Sequence, residues 1–178
     1  MRISGGTLKG RVLRIPVKAG FRPTTDRNRQ MIFNVLREAV EGARFCDGFA
    51  GSGAVGIEAL SRGAGEAVFI ENDPGLVRGL ELNLQALGIE SRSRVHRGDA
   101  EDLRALEAAG AQDVIFLDPP YENHSVKMLE RAAACLAENG ILVYEHDARY
   151  EPPPVSGLRA ADCRRCGDSA FTFYRITG

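Results

Sequence analysis

The chain has 178 residues, 44% of them hydrophobic and 26% charged, which is enough apolar material for one folded domain and too little length for two. Disorder is excluded, and with no run of 18 apolar residues and no signal-type leader the protein is expected to be soluble, cytoplasmic and free of any membrane. The formal net charge of −1 conceals an asymmetry, because residues 1–30 carry +7 and the remainder −8. A basic segment on an acidic body suits a polyanionic partner, although a solvated basic hairpin would give the same count.

In chain order, residues 2–4 and 12–15 read as two short strands around Gly5, Gly6 and Gly10, with Pro16 ending the second. This N-terminal hairpin is expected to lie outside the sheet and to add little to the core. Thr25 is a plausible N-cap for a helix running toward Gly42, with Met31, Ile32, Val35, Leu36 and Ala39 on its apolar face. Strands are then predicted at 44–47, 67–71, 94–97, 113–117 and 141–145, separated by helices at 53–62, 74–87, 100–109 and 125–137. Such alternation implies α/β architecture, a parallel sheet covered on both faces. Glu151-Pro152-Pro153-Pro154 is a connector to two last strands, 158–163 and 170–176, spaced to pair antiparallel. Cys46, Cys135, Cys163 and Cys166 are expected to be reduced thiols, and the CxxC at 163–166 lacks the further ligands of a zinc site, so no metal is expected.

The first strand of the alternating part runs into Asp47-Gly48-Phe49-Ala50-Gly51-Ser52-Gly53-Ala54-Val55-Gly56, a GxGxxG opening a helix. Glycines there let the chain turn sharply and let a ligand lie against backbone amides. Glu71 follows Gly51 by 20 residues, at the end of the next strand, where a carboxylate can accept both ribose hydroxyls of an adenosine cofactor. A dinucleotide would set its pyrophosphate beside Asp47, which is unfavourable, whereas S-adenosylmethionine presents an ammonium and a sulfonium that a carboxylate attracts. Asp99, in the turn Gly98-Asp99-Ala100, can accept from an adenine amine or cap the helix beginning near Glu101. Asp118-Pro119-Pro120-Tyr121 ends an apolar strand with two prolines that remove donors and leave acceptors pointing outward. Acceptors in a row suit an exocyclic nucleobase amine, with Tyr121 as a face on which an extruded base stacks.

Residues 47–53, Glu71, Asp99 and residues 118–121, in that order, resemble the class I S-adenosylmethionine-dependent methyltransferases, and the DPPY form resembles those that act on nucleobase amines. More narrowly, Arg2-Ile3-Ser4-Gly5-Gly6, Lys9-Gly10-Arg11, Arg22-Pro23-Thr24-Thr25-Asp26-Arg27, Phe33-Asn34 and Glu58-Ala59-Leu60-Ser61-Arg62 resemble the bacterial 16S ribosomal RNA guanine-N2 methyltransferases of the RsmD type. Gln30 departs from the glutamate usual in that family. The resemblance implies a Rossmann-like, mostly parallel seven-stranded sheet with an antiparallel last strand, residues 25–178, extended by a basic RNA-docking hairpin, residues 1–24. It implies S-adenosylmethionine held by Thr25, Asp47, Phe49, Ala50, Gly51, Gly53, Glu71, Asn72, Asp99 and Ala100. Catalysis would fall to Asp118, Pro119, Pro120 and Tyr121, and RNA contact to Lys9, Arg11, Arg14 and Arg22. Arg27 and Arg29 would also be available to phosphates or to the cofactor carboxylate. The expected partner is 16S ribosomal RNA within a small-subunit particle, met by a monomer. An adenine-N6 methyltransferase is the nearest alternative; a nicotinamide oxidoreductase leaves residues 118–121 without a role, and a silent RNA-binding module leaves the whole site without one.

Overall fold

The computed structural model describes residues 1–15, 24–100, 103–120 and 125–177. Its centre is a seven-stranded sheet in the order β3-β2-β1-β4-β5-β7-β6. The strands are β1 (Arg44–Asp47), β2 (Glu66–Glu71), β3 (Ser93–Arg97), β4 (Gln112–Leu117), β5 (Leu136–Asp147), β6 (Leu158–Cys166) and β7 (Ser169–Ile176). The first five run parallel, and β7 lies antiparallel between β5 and β6. The helices are α1 (Asp26–Leu36), α2 (Ala54–Ser61), α3 (Pro74–Leu87), α4 (Leu103–Ala109) and α5 (Val126–Ala134).

Each central strand is apolar on both sides, as burial from both faces requires. Phe45, Phe69, Val114, Phe116, Val143 and Phe171 point into a core roofed by α1, α2 and α3. Cys46, Val68, Ile70, Ile115, Leu117 and Leu142 point into a second core under α4 and α5. Among the described residues no helix is long and apolar enough to cross a membrane.

Several boundaries differ from expectation for local reasons. The first helix does not run to Gly42: Arg37 takes a positive φ of 45°, and the chain continues as a 3-10 turn over Arg37–Val40. α5 stops at Ala134 instead of 137, because the chain turns straight into the long strand β5, where Gln112 pairs with Leu136 and donates its backbone N–H to Cys135 O at 2.8 Å. α3 matches its expected span; Asp73 accepts from the amides of Gly75 and Leu76, Pro74 sits at the first position, and left-handed Gly88 ends it.

The N-terminal segment departs most from expectation. Its two arms pair through a single bridge, Arg2 with Val12, rather than as strands. It is nonetheless part of the core, since Ile3 and Leu13 are each 2% exposed and belong to the cluster under α2. Polar contacts fasten it further: Ser61 Oγ donates to Gly5 O at 2.6 Å, Leu8 N–H donates to Ser61 Oγ, and the Asn83 amide holds both backbone groups of Arg14 at 2.9 Å.

Arg29 corrects the view of this segment as a row of free cations. Its side chain is fully buried and donates to the carbonyls of Arg2 and Thr24 and to the carboxylates of Asp26 and Glu58. Glu58, also fully buried, accepts from Ser4 N–H at 2.9 Å, Ser4 Oγ at 2.7 Å and Arg62 Nε at 2.9 Å. Removing one member of such a group leaves a buried charge unmatched, so Glu58→Ala should lower stability by about 3–5 kcal/mol. Arg44→Ala, at a half-exposed pair with Asp113, should hardly move the urea midpoint. Urea unfolding of both variants measures the contrast.

Candidate active site

The strand order reverses its sense between β1 and β4, and the crevice beyond their carboxyl ends is where open α/β sheets bind ligands. A cavity at that point is lined by Thr24, Asp47, Phe49, Ala50, Gly51, Ser52, Ala54, Val55, Phe116 and Asp118. The glycine loop that forms one wall is held by Gly48 N–H to Phe116 O (2.8 Å), Ala50 N–H to Ile70 O (3.0 Å) and Gly53 N–H to Ala50 O (2.7 Å). Gly53 precedes α2 in the left-handed region at φ 77°, where a side chain would also strike Leu80. Gly56 lies so close to the Phe69 ring that any side chain would collide with it. α2 is thereby seated on β2, with its first turn against β1.

Asp47 ends β1 and is 1% exposed. Its Oδ2 accepts Gly56 N–H at 2.9 Å, while Oδ1 meets no partner. Burial, with a smaller push from the Glu71 charge, raises this carboxyl to about 7 despite the Gly56 amide. Glu71 ends β2, and each of its oxygens holds one amide: Oε2 that of Gly51 and Oε1 that of Asp73, both at 2.8 Å. A carboxylate has about four acceptor positions, so both oxygens retain capacity for a ligand. Asn72 and Asp99 are exposed beside it, at the ends of β2 and β3, and Ala100 is buried.

Asp118 follows β4 and is partly exposed; Pro119 behind it is buried and Pro120 exposed. Burial pushes the Asp118 carboxyl well up, and the charges of Glu145 and Asp47 add to the push. Asp47 on β1, Asp118 directly after β4 and Glu145 on β5 are carried by three neighbouring strands, as the pairings Asp47 with Phe116 and Leu117 with Tyr144 show. Sequence reasoning gave Glu145 no role, although it stands at the end of an expected strand as Asp47 and Glu71 do. It also missed Thr24, which lines the cavity. Thr25 is instead exposed and N-caps α1, accepting from Asn28 N–H at 3.2 Å. Lys9, Arg11 and Arg14 are exposed on the hairpin, and Arg27 on α1. Tyr121 and Arg22 lie outside the described residues.

The raised carboxyls have a consequence for stability. Asp47 and Glu145, ordinarily near 3.8 and 4.5, are both pushed up to about 7, so the folded protein retains protons that the unfolded chain has released. Their stabilising contribution is complete below about pH 4 and is lost as pH rises toward about 7. In ligand-free protein the unfolding midpoint should therefore fall across that window, and Asp47→Asn should flatten the fall. Thermal scans at a series of pH values provide the measurement.

With this geometry established, similarity to known proteins becomes informative. The model of a family described as conserved hypothetical protein 95 matches residues 1–175. The Bacillus subtilis protein YlbH is 40% identical over 164 residues, 88% of either chain. Ribosomal RNA small subunit methyltransferase D of Escherichia coli is 39% identical over 158 residues, covering 89% of this chain and 77% of that one. The solved structure of Escherichia coli yhhF superposes with a TM-score of 0.86 at 32% identity, over 99% of this chain and 97% of the other. A site made of a glycine loop and strand-end carboxylates, on a seven-stranded sheet matched nearly end to end, places the chain in this family, the RsmD-type class I methyltransferases.

Proposed function

We propose that the protein transfers a methyl group from S-adenosylmethionine to the exocyclic N2 amine of a guanine in 16S ribosomal RNA, acting as a monomer in the cytoplasm on RNA within a small-subunit particle. The observation that carries this reading is the pairing of Asp47 and Asp118 across one cavity, with a buried acceptor of Asp47 unpartnered inside it. A buried acceptor without a donor is costly, and a cationic ligand both supplies the donor and favours ionisation of a carboxyl that burial holds near neutrality.

The residues present fit S-adenosylmethionine. Asp47 would take its positive amino-acid end, Glu71 its ribose hydroxyls, and Asp99 its adenine amine, with Phe49, Ala50, Gly51, Gly53, Asn72 and Ala100 around them. When bound, the cofactor supplies an electrophilic methyl group. The rest of the work is positional. Asp118 and the Pro119 carbonyl accept the two protons of the target amine, which orients its nitrogen and fixes the base, while Tyr121 offers a stacking face. A guanine amine is a poor nucleophile because its lone pair is shared with the ring. Hydrogen bonds to Asp118 favour the tetrahedral nitrogen of the transition state, and a carboxylate with raised proton affinity can accept the proton that must leave. Guanine is preferred over adenine because its N1–H donates beside the amine, whereas adenine presents an acceptor there to an aspartate.

Incubation of the protein with labelled S-adenosylmethionine and small-subunit particles lacking the modification, followed by nucleoside mass spectrometry, tests the reaction. N2-methylguanosine is expected; label on adenine N6, or none, would overturn the reading. Asp118→Ala should keep cofactor affinity while lowering the single-turnover rate at least about a hundredfold, the lower range for loss of an acid–base group. Glu71→Ala should act in the opposite sense and weaken cofactor binding at least about tenfold, since charge-assisted bonds contribute roughly 1.5–3 kcal/mol each. Calorimetry beside rate measurements separates the two.

The docking role of the hairpin needs substitutions rather than truncation, because removing residues 1–15 would strip Ile3 and Leu13 from the core. Replacing Lys9, Arg11 and Arg14 with alanine should leave folding and cofactor binding intact. Every phosphate left without its cation reduces the slope of log affinity against log salt by roughly 0.7–0.9, so the triple variant should lower it by about 2–3. RNA titrations at several salt concentrations would show an unchanged slope if the hairpin is only solvated.

A further inference from the structure

Glu145 is a buried carboxylate that the reaction as described does not use. It is 4% exposed, and its Oε2 meets no hydrogen-bond partner. The pairing of Leu117 with Tyr144 in adjacent parallel strands brings the next residues, Asp118 and Glu145, side by side. Residues paired in this way share a face of the sheet, and this is the face of Asp47, Phe116 and Phe171 rather than that of Tyr144 and Leu117. Two carboxylates thus stand together, Asp118 just past β4 and Glu145 near the end of β5, with a third, Asp47, on β1.

The other groups around Glu145 do not neutralise it. From β7, the Ser169 hydroxyl bonds to it and Phe171 lies opposite. On β5 itself, Tyr144 is packed in the other core, and His146 is held by Thr172 Oγ1 and Asp147 O. Of the helix-borne cations on the Glu145 side of the sheet, Arg29 and Arg62 are committed to Glu58. Among the described residues no basic side chain forms an ion pair with Asp47, Asp118 or Glu145.

We propose that Glu145 is a positioning residue: its carboxylate, set against Asp118 on the neighbouring strand, strengthens the hold of Asp118 on the proton that the target amine loses. This rests on the reading of the site as an amine methyltransferase. An N–H bond of the amine breaks with its electron pair left on nitrogen, the proton forms an O–H bond on Asp118, and water removes it after the product departs. A lone carboxylate would bind that proton weakly. A second carboxylate beside it disfavours the doubly charged pair, so the proton is taken more readily. Both carboxyls are raised above their ordinary values, in keeping with this geometry.

The test combines a titration without ligand and a rate profile. In cofactor-free protein with 13C-labelled carboxyls, Asp118 and Glu145 should titrate as a coupled pair in two steps. In Glu145→Gln, which keeps shape and hydrogen bonding, Asp118 should titrate in one step, lower by about one pH unit or more. Ser169→Ala removes a hydroxyl that favours ionised Glu145 and should move the pair upward instead, a reversal that loss of packing does not produce. With S-adenosylmethionine and small-subunit particles, the acidic limb of the single-turnover rate should move to lower pH in Glu145→Gln and its plateau should fall. Independent titration of Asp118, unaffected by Glu145→Gln, overturns the pairing while leaving the methyl-transfer reading intact. A coupled titration with an unmoved rate profile overturns the role in the reaction. Absence of transfer to any amine by the unaltered protein defeats the functional reading itself, and this role with it.

Discussion

Arg29 and Glu58 sit in the interior with no exposed side-chain surface, and charges in that position are tolerable only where their surroundings match them. Their environment does so by drawing in three separate pieces of chain. Arg29 belongs to α1 and reaches the carbonyl of Arg2; Glu58 belongs to α2 and receives the backbone and hydroxyl of Ser4. The N-terminal segment, the helix that starts beside Thr24, and the helix that follows the glycine loop are thus fixed relative to one another by one polar cluster. The cavity wall formed by Thr24 depends on this, because Arg29 donates to the Thr24 carbonyl at 2.8 Å. Asn83 adds a second link, holding Arg14 on one side and reaching the Ser52 carbonyl of the glycine loop at 3.4 Å on the other.

On the opposite side of the cavity the logic is reversed. Asp47, Asp118 and Glu145 are left without cations among the described residues, and Glu71 is matched only by backbone amides. The Arg29–Glu58 cluster gives each buried charge its partners, whereas the carboxyls along the cavity have no cation among the described residues and are pushed toward their neutral forms. Carboxyls placed in this way are what the proposed cofactor, with its positive charge, and the proposed amine target would call for. The exposed cations Lys9, Arg11 and Arg14 belong to the segment packed on α2 and α3, whereas the carboxyls gather at the strand ends around the cavity.

Much of this was legible before any coordinates. The parallel strands show because both faces are apolar, and α3 shows because Asp73, Pro74 and Gly88 punctuate it. The glycine loop, Glu71 and the residues from Asp118 were visible as strand ends, which is where this architecture places its chemistry. What escaped depended on three-dimensional neighbours. Arg29 reads in sequence as one more cation of a basic segment, and only its proximity to Glu58 makes it structural. Glu145 reads as an ordinary strand end until the register of β5 against β4 sets it beside Asp118. Thr25 was legible as the N-cap of α1, but the place of Thr24 on the cavity wall, next to it in the chain, depends on how the segment packs. The hairpin looked dispensable because it was expected to lie outside the sheet; in the fold Ile3 and Leu13 are buried in the core.

The order of the strands also governs how the molecule must assemble in time. β6 and β7 are joined by a tight turn at Gly167 and Asp168 and can pair as soon as that short stretch is available. β1, by contrast, pairs with β4 through Phe45 and Val114, and the intervening chain holds two strands and three helices. Closing that seam requires a large loop to be ordered before the pairing returns any stabilisation, a step that slows folding in proportion to its non-local character. The seam is also the floor of the cavity, between Asp47 and Asp118. The cavity floor consequently depends on a pairing between distant parts of the chain, so a partly folded chain in which that seam is still open lacks the cavity.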